Sequence, residues 1–203
     1  MNRSLLVNRY KLLKGALMTF LKPECLQDYI GQMDTPVKYQ LLTEIKENDT
    51  TFAVPFMKKI AFNLTSTLLF GLHDEPTKEV LSKDFTQTFK CLWSLPINIL
   101  GTTYHRVIEA RARIVKRMLP ILESRRNQLC EGRISAKDDL ISSFLSLRDE
   151  NDEPITEEEV IDNVVALLIA SHDTTATLLS LIVWKLARNP KIYKKVLEGN
   201  AKL

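Results

Sequence analysis

Apolar residues recur every three or four positions along most of this chain, which is the spacing of an α-helix that buries one face. The pattern predicts a first helix over 5–20 and, after a break at Pro23, a second helix over 24–46. Pro36 lies within the second pattern and removes a backbone donor, so we expect a kink or a break there.

A third and a fourth helix are predicted from residues that commonly begin and end helices. Pro55 suits the first turn of a helix that runs to about Phe70, where Gly71 would stop it. Thr77 would cap a fourth helix that ends near Cys91.

The middle of the chain is predicted to contain a loop over 95–104 and then a long helix, from about 104 to 131. Pro120 lies inside this helix, and we expect a bend or a frayed register around it. A short amphipathic helix over 138–148 and the polar turn at 149–154 follow.

The longest element is a predicted central helix, about 157–188. Thr156 and Glu159 form a capping box at its start, Pro190 follows its end, and a short helix over 191–197 closes the pattern. Its centre is the most apolar part of the chain but carries ionisable residues. We therefore expect a buried helix through the middle of a soluble domain, and not a membrane span.

The composition favours an all-α globular protein, with 45% hydrophobic and 26% charged residues and only 6 glycines. The net charge of +3 is too small to favour a nucleic acid partner. The 3 cysteines are widely spaced, which argues against a disulfide framework and against a zinc site, so no metal ligand is predicted. No targeting or transmembrane segment is evident.

A polar cluster, Ser171 to Thr174, interrupts the apolar centre of the long helix. Neighbouring helical residues diverge by about 100°, so Ser171, His172 and Asp173 cannot converge as a catalytic triad. Two interpretations remain open. The hydroxyls could bond to backbone carbonyls while Asp173 forms a salt bridge. Alternatively, Asp173 and Thr174 could relay protons to a buried ligand.

The residues 170–175, Ala-Ser-His-Asp-Thr-Thr, resemble the oxygen-binding signature of cytochrome P-450 monooxygenases, Ala/Gly-Gly-x-Asp/Glu-Thr-Thr/Ser. The stretches 17–34 and 95–114 are similar to the plant clan that oxidises sterols, triterpenoids and diterpenoids. The resemblance covers essentially the whole chain. It implies an all-α fragment of the cytochrome P-450 fold: one partial domain, 1–203, from the third helix of that fold to the short helix after the central one.

The resemblance also implies roles for residues of the central helix. Thr174 and Asp173 would be catalytic, Thr174 by binding dioxygen and supplying protons to it, and Asp173 by relaying protons from solvent. Ala170 and Ser171 would bind the cofactor by lining the distal face of the haem. Ser171 stands where the family prefers Gly.

Further binding residues follow from the same resemblance. Tyr10 and Lys14 occupy the positions from which the first helix would reach the haem propionates, although a solvated helix face is the alternative for Lys14. Leu167 and Leu178 would contact substrate, as would the segment 86–92 and the loop 95–104, with plain core packing as the alternative.

The implied cofactor is haem, which the family holds through a cysteine thiolate in a Phe-x-x-Gly-x-Arg-x-Cys-x-Gly loop. None of Cys25, Cys91 and Cys130 has that context, so we expect the axial thiolate and the N-terminal anchor to be absent from this chain and the fragment to be inactive alone. The implied partners are a terpenoid or sterol substrate and a flavin-containing reductase. The implied location is the cytosolic face of the endoplasmic reticulum membrane.

Two alternatives to a monooxygenase remain open at this point. The chain could be a truncated, non-catalytic product of the same family. It could also be a helical scaffold or interaction protein in which His172, Asp173 and Thr174 form only a packed polar cluster.

Overall fold

The computed structural model of the protein describes residues 3–90 and 94–200. These residues form helices joined by turns, with a single isolated β-bridge between Arg148 and Pro154 and no strand within the described ranges. In chain order the helices are α1 (Arg3–Phe20), α2 (Pro23–Glu47), α3 (Ala53–Leu68), α4 (Glu75–Phe89), α5 (Thr103–Cys130), α6 (Leu140–Ser146), α7 (Glu157–Arg188) and α8 (Pro190–Asn200). The predicted all-α fold class and the long central helix are confirmed.

Two helices continue through an internal proline. Pro36 lies inside α2 and Pro120 inside α5, and neither helix ends there, so the expected break at Pro36 and the expected frayed register at Pro120 do not occur. In α5, the residues on either side of the proline explain this result. Met118 and Leu122 are fully buried, and their packing outweighs the lost hydrogen bond and the ring clash, together about 3 kcal/mol.

The starts of α3 and α4 differ from the prediction. The third helix begins at Ala53, two residues before Pro55. The fourth begins at Glu75, and the side chain of Asp74 accepts a hydrogen bond from the Thr77 backbone N–H at 2.8 Å. The predicted Thr77 cap is therefore wrong, because an aspartate three residues earlier makes the cap bond. The predicted end near Cys91 lies outside the described residues.

The core lies where α3, α4, α5 and α6 meet the first half of α7. Helix α7 packs most extensively against α3, and α4 packs against α5. The largest fully buried side chains include Phe62 of α3, Leu81 of α4, Ile114 and Met118 of α5, Phe144 of α6, and Ile161 and Leu168 of α7. Close packing of these side chains places the polar cluster of α7 directly beside α3.

The second half of α7 is largely uncovered. Ala176 is the last residue of this helix that is buried, and Leu178, Leu181 and Trp184 are 60%, 55% and 53% exposed. The expected burial is therefore found in the first half of the helix and not in the second. The described helices cover only one face of its first half, so the remaining apolar surface stays open.

Arg9 ties α1 to the start of α7. Its guanidinium donates hydrogen bonds to the Pro154 carbonyl at 2.6 Å, to the Glu159 carboxylate at 2.9 Å and to the Asp149 carboxylate at 3.3 Å. The side chain of Arg9 is largely buried, so these charge-assisted bonds are poorly screened by solvent. They set the position of α1 relative to the central helix.

The capping box at the start of α7 supports a first testable prediction. Thr156 Oγ1 accepts a bond from the Glu159 N–H at 3.2 Å, and the Glu159 carboxylate accepts one from the Thr156 N–H at 2.9 Å. Thr156→Ala is expected to lower the free energy of unfolding by about 1 kcal/mol, measured by urea unfolding followed by circular dichroism. Thr175→Ala, an exposed threonine inside the same helix, should change it by less than about 0.5 kcal/mol. Equal losses from the two variants would contradict the role of the cap.

Candidate active site

An open face of α7 carries the first group of predicted site residues. At about 100° per residue, Ala170, Thr174 and Leu181 point to nearly the same side of the helix. All three residues are exposed, and the side chains of Ala170 and Thr174 are small. The Thr174 hydroxyl donates a hydrogen bond to the Ala170 carbonyl at 2.7 Å, which fixes its oxygen beside an apolar surface. The expected dry interior around Thr174 is therefore not formed by the described helices.

Asp173 points away from this face, toward α3. The Asp173 Oδ1 atom lies 2.7 Å from Lys58 Nζ, and the two side chains are 27% and 35% exposed respectively. Burial by itself raises the pKa of Asp173, but the Lys58 ammonium and then His172 outweigh it, so the pKa lies below its usual value. Asp173 is therefore a carboxylate at neutral pH.

His172 lies between Asp173 and the apolar core. Its Nδ1 atom is 3.0 Å from Asp173 Oδ1, and its ring meets the Phe62 ring edge-on with centroids 6.5 Å apart. Burial lowers the pKa of His172 more than the Asp173 carboxylate raises it, so the imidazole is neutral at pH 7.

Ser171 faces α3 as well. The Thr65 hydroxyl donates to Ser171 Oγ at 3.2 Å, and Ser171 Oγ donates to the Leu168 carbonyl at 3.3 Å. The predicted pair Ala170 and Ser171 is thus divided between two surfaces, because consecutive residues of a helix point in different directions.

The contacts of the cluster match the bonding pattern of the first interpretation. Ser171 and Thr174 bond to backbone carbonyls, and Asp173 forms a salt bridge. Within the described residues, no hydrogen bond joins Asp173 to Thr174. Direct proton transfer between these two side chains therefore requires one of them to change rotamer.

A cleft of about 670 Å³ opens beside the cluster, between α3 and α4. Its wall includes Lys58, Asn63, Thr86 and His172. Sequence analysis missed Lys58, because a lysine on an amphipathic helix normally belongs to its solvated face and no spacing in the sequence links α3 to α7.

The predicted substrate-binding residues lie in three different settings. Thr86 lines the cleft, Leu167 packs against the edge of the core, and Leu178 is exposed on α7. The structure therefore does not bring Leu167 and Leu178 together into one enclosed pocket.

The predicted propionate-binding residues lie on the surface of α1. Tyr10 is 64% exposed and Lys14 is also exposed, so both can reach a partner outside the described core. The neighbouring Arg9, which the sequence analysis did not identify, makes the contacts that hold this helix in place.

The described residues contain no group of three or more His, Cys, Asp and Glu side chains able to hold a metal ion. Cys130 is an exposed free thiol at the end of α5. The side chain of Cys25 and the whole of Cys91 lie outside what the structure describes.

In the described part of the chain, α7 has the length and composition needed to cross a membrane, and 17% of its apolar window is buried. A helix in the core of a soluble protein can have the same length and composition. The packing of α3 on its first half and the ion pair between Lys58 and Asp173 favour a core helix.

Comparison with known protein families gives a match over most of the chain. Residues 12–199 match the cytochrome P-450 family model. The chain is 32% identical over 188 residues to taxane 13-alpha-hydroxylase of Taxus cuspidata, covering 93% of this chain and 39% of that protein. It is 32% identical over 184 residues to beta-amyrin 28-monooxygenase of Medicago truncatula, covering 91% and 38%. The chain thus spans about two fifths of the length of these relatives.

A solved structure agrees with the sequence relatives. Retinoic acid-bound cyanobacterial CYP120A1 superposes with a TM-score of 0.81 at 26% identity, covering 97% of this chain and 43% of the other. The arrangement of helices around α7 is therefore shared with that protein.

Proposed function

Since this chain belongs to the cytochrome P-450 family, we propose that it forms the oxygen-handling side of a haem-dependent monooxygenase that hydroxylates a terpenoid or a sterol. The observation that carries the proposal is the placement of Thr174 on an open apolar face of α7, one residue after an ionised acid. In this proposal residues 1–203 are one partial domain, from the third helix of the fold to the helix after α7.

The residues on the open face of α7 fit a flat apolar group such as haem. Ala170 and Thr174 are small and exposed, and Leu178 and Leu181 extend the surface as apolar side chains. Tyr10 and Lys14 of α1 would hold the propionates, Lys14 as a point charge. In this proposal the thiolate that would hold the haem iron is not supplied by Cys25, Cys91 or Cys130.

Haem, when bound, supplies the chemistry that activates dioxygen. The residues of this chain control the protons that this chemistry consumes. The bond from the Thr174 hydroxyl to the Ala170 carbonyl leaves the Thr174 oxygen free to accept a hydrogen bond on the open face. Asp173, held ionised by Lys58, can take a proton from solvent and pass it on after the Thr174 side chain changes rotamer.

The relatives suggest the substrate class and the partners. Their names describe hydroxylation of taxanes and oxidation of beta-amyrin, which are large, apolar terpenoids. We propose a substrate of that class, a flavin-containing reductase as electron donor, and a place at the endoplasmic reticulum membrane. Leu167, Leu178 and Thr86 are the proposed substrate contacts.

A second candidate function is a helical scaffold or interaction protein. It is supported by the bonds that Ser171, Thr174 and Asp173 all make within the helices. The two candidates differ in what Thr174 does, so an oxygen-dependent reaction separates them.

Turnover with a terpenoid panel tests the proposed function. Because we expect the 203-residue chain to be inactive alone, the haem-loaded protein tested contains this sequence together with a cysteine loop that supplies the thiolate. It is incubated with NADPH, a flavin reductase and a panel of sterols, triterpenes and taxane-type diterpenes. We expect at least one product heavier by one oxygen atom, with the added oxygen derived from labelled dioxygen. Thr174→Ala should consume NADPH with a smaller yield of product, whereas Thr175→Ala should behave as the unchanged protein. No oxygenated product from any substrate would favour the scaffold, and an unchanged product yield in Thr174→Ala would contradict the role proposed for Thr174.

A further inference from the structure

Two donors converge on a single oxygen of Asp173. Lys58 Nζ lies 2.7 Å from Asp173 Oδ1, and His172 Nδ1 lies 3.0 Å from the same atom. No described residue bonds to the second oxygen, Oδ2. The carboxylate is therefore held at one end and open at the other.

We propose that His172 is a positioning residue, which together with Lys58 pins Oδ1 of Asp173 so that Oδ2 is the oxygen that takes up and releases protons. The proposal rests on the proposed function of Asp173 as a proton carrier. It assigns a role to the residue that precedes the acid on α7.

The chemistry of the two groups determines which nitrogen carries the proton. An ionised carboxylate oxygen only accepts hydrogen bonds, so Nδ1 of the neutral imidazole is the protonated nitrogen and donates to Oδ1. Within the described residues, no protein group bonds to Nε2. His172 thus acts on Asp173 through one nitrogen in a defined tautomer.

The surroundings of His172 restrict its ring. The Phe62 ring meets it edge-on, and the ring also borders a small apolar gap lined by Phe85, Phe89 and Leu168. A side chain packed in this way loses little further freedom on bonding to Asp173. Lys58 is longer and more exposed, so by itself it allows the carboxylate to swing toward the cleft.

Several other charged groups face the same cleft. They are Lys58 and Lys59 of α3, and Glu75, Glu79 and Lys83 of α4. Lys83 pairs with Glu79 at 2.9 Å, so those two charges largely compensate each other. Asp173 remains the charged group in direct contact with His172.

Three substitutions distinguish positioning from simple packing. In His172→Asn the amide nitrogen stands near the position of Nδ1, whereas in His172→Gln the amide lies farther out, near the position of Nε2. His172→Leu has no donor. We therefore expect Asn to preserve the Asp173 geometry, and Gln and Leu to lose it.

The first measurement needs no haem. Nitrogen NMR of the chain should show His172 as the Nδ1–H tautomer, and carbon NMR of the Asp173 carboxyl should show a raised pKa in His172→Leu and an unchanged one in His172→Asn. A dominant Nε2–H tautomer would overturn the proposal, and so would an Asp173 pKa that is unchanged in His172→Leu. Circular dichroism confirms that each variant keeps its helices.

The second measurement uses haem-loaded protein. His172→Leu and His172→Gln should lower product formed per NADPH about tenfold, the effect of one lost hydrogen bond to a charged group, and His172→Asn should restore it. If Asp173→Asn lowers this yield and His172→Leu does not, the positioning role fails while the proposed function stands. If neither Asp173→Asn nor Thr174→Ala lowers it, the proposed proton-handling role of α7 fails, and if no product forms in any variant, the proposed function itself fails.

Discussion

Replacing Asp173 by Asn is expected to slow substrate hydroxylation by the haem-loaded protein about 10²- to 10⁴-fold, the usual contribution of a positioned proton-transfer group. The amide of Asn cannot take a proton from solvent at neutral pH, so Thr174 would lose its supply. The change should leave the fold intact. The pair with Lys58 is partly exposed, and such pairs contribute about 1 kcal/mol or less.

A matched control lies on the same helix. Asp162 is an aspartate of α7 that also pairs with a cation, Arg111 Nη2 at 2.6 Å, but it lies about three turns before Thr174. Asp162→Asn should leave the hydroxylation rate within about twofold. The measurements are product formation per haem and the absorption spectrum of the reduced protein with carbon monoxide. Equal rate losses in the two variants would remove Asp173 from the mechanism.

The largest expected loss of stability comes from the buried ion pair between Arg125 and Asp139. Their Nη1 and Oδ2 atoms are 2.7 Å apart, and the Asp139 side chain is 3% exposed. Asp139 also accepts bonds from the Ser142 backbone N–H at 2.8 Å and from the Ser142 hydroxyl at 2.9 Å, at the start of α6. Asp139→Ala leaves the Arg125 guanidinium buried without its anion. We expect the free energy of unfolding to fall by about 3–5 kcal/mol.

Urea unfolding of three variants tests this loss. Asp34→Ala removes an exposed partner of Lys38 on α2 and should lower the stability by less than about 0.5 kcal/mol. The double variant Arg125→Met with Asp139→Leu should recover part of the loss, because neither charge is then buried alone. A loss below about 1 kcal/mol in Asp139→Ala would show that solvent reaches Arg125 in the folded protein.

The helix boundaries show which features of the helices could be predicted from local sequence patterns. The capping box of Thr156 and Glu159 was predicted correctly because both partners lie within one turn of the chain. The Thr77 cap was predicted wrongly. Threonine and aspartate are both common helix caps, so the sequence pattern alone does not distinguish Asp74 from Thr77 as the capping residue. Pro120 was expected to disturb α5, but the burial of Met118 and Leu122 holds the helix together.

The candidate site shows the limit of the same reasoning. The signature at 170–175 was recognised from the sequence, and the back-bonding of Thr174 was one of the two open interpretations. The partner of Asp173 was not predicted. Lys58 lies on α3, more than a hundred residues away along the chain, and nothing in its local sequence distinguishes it from a solvated lysine.

By itself the sequence determined the all-α class, the central helix with its cap, and the order of polar residues along that helix, because each depends on neighbours within a few turns. Only the tertiary structure decided which way those residues face. The packing of α3 against α7 brings Lys58 and His172 to one oxygen of Asp173 and leaves Thr174 on the open side. Contacts of this kind depend on how two distant segments pack, and helical periodicity carries no information about that.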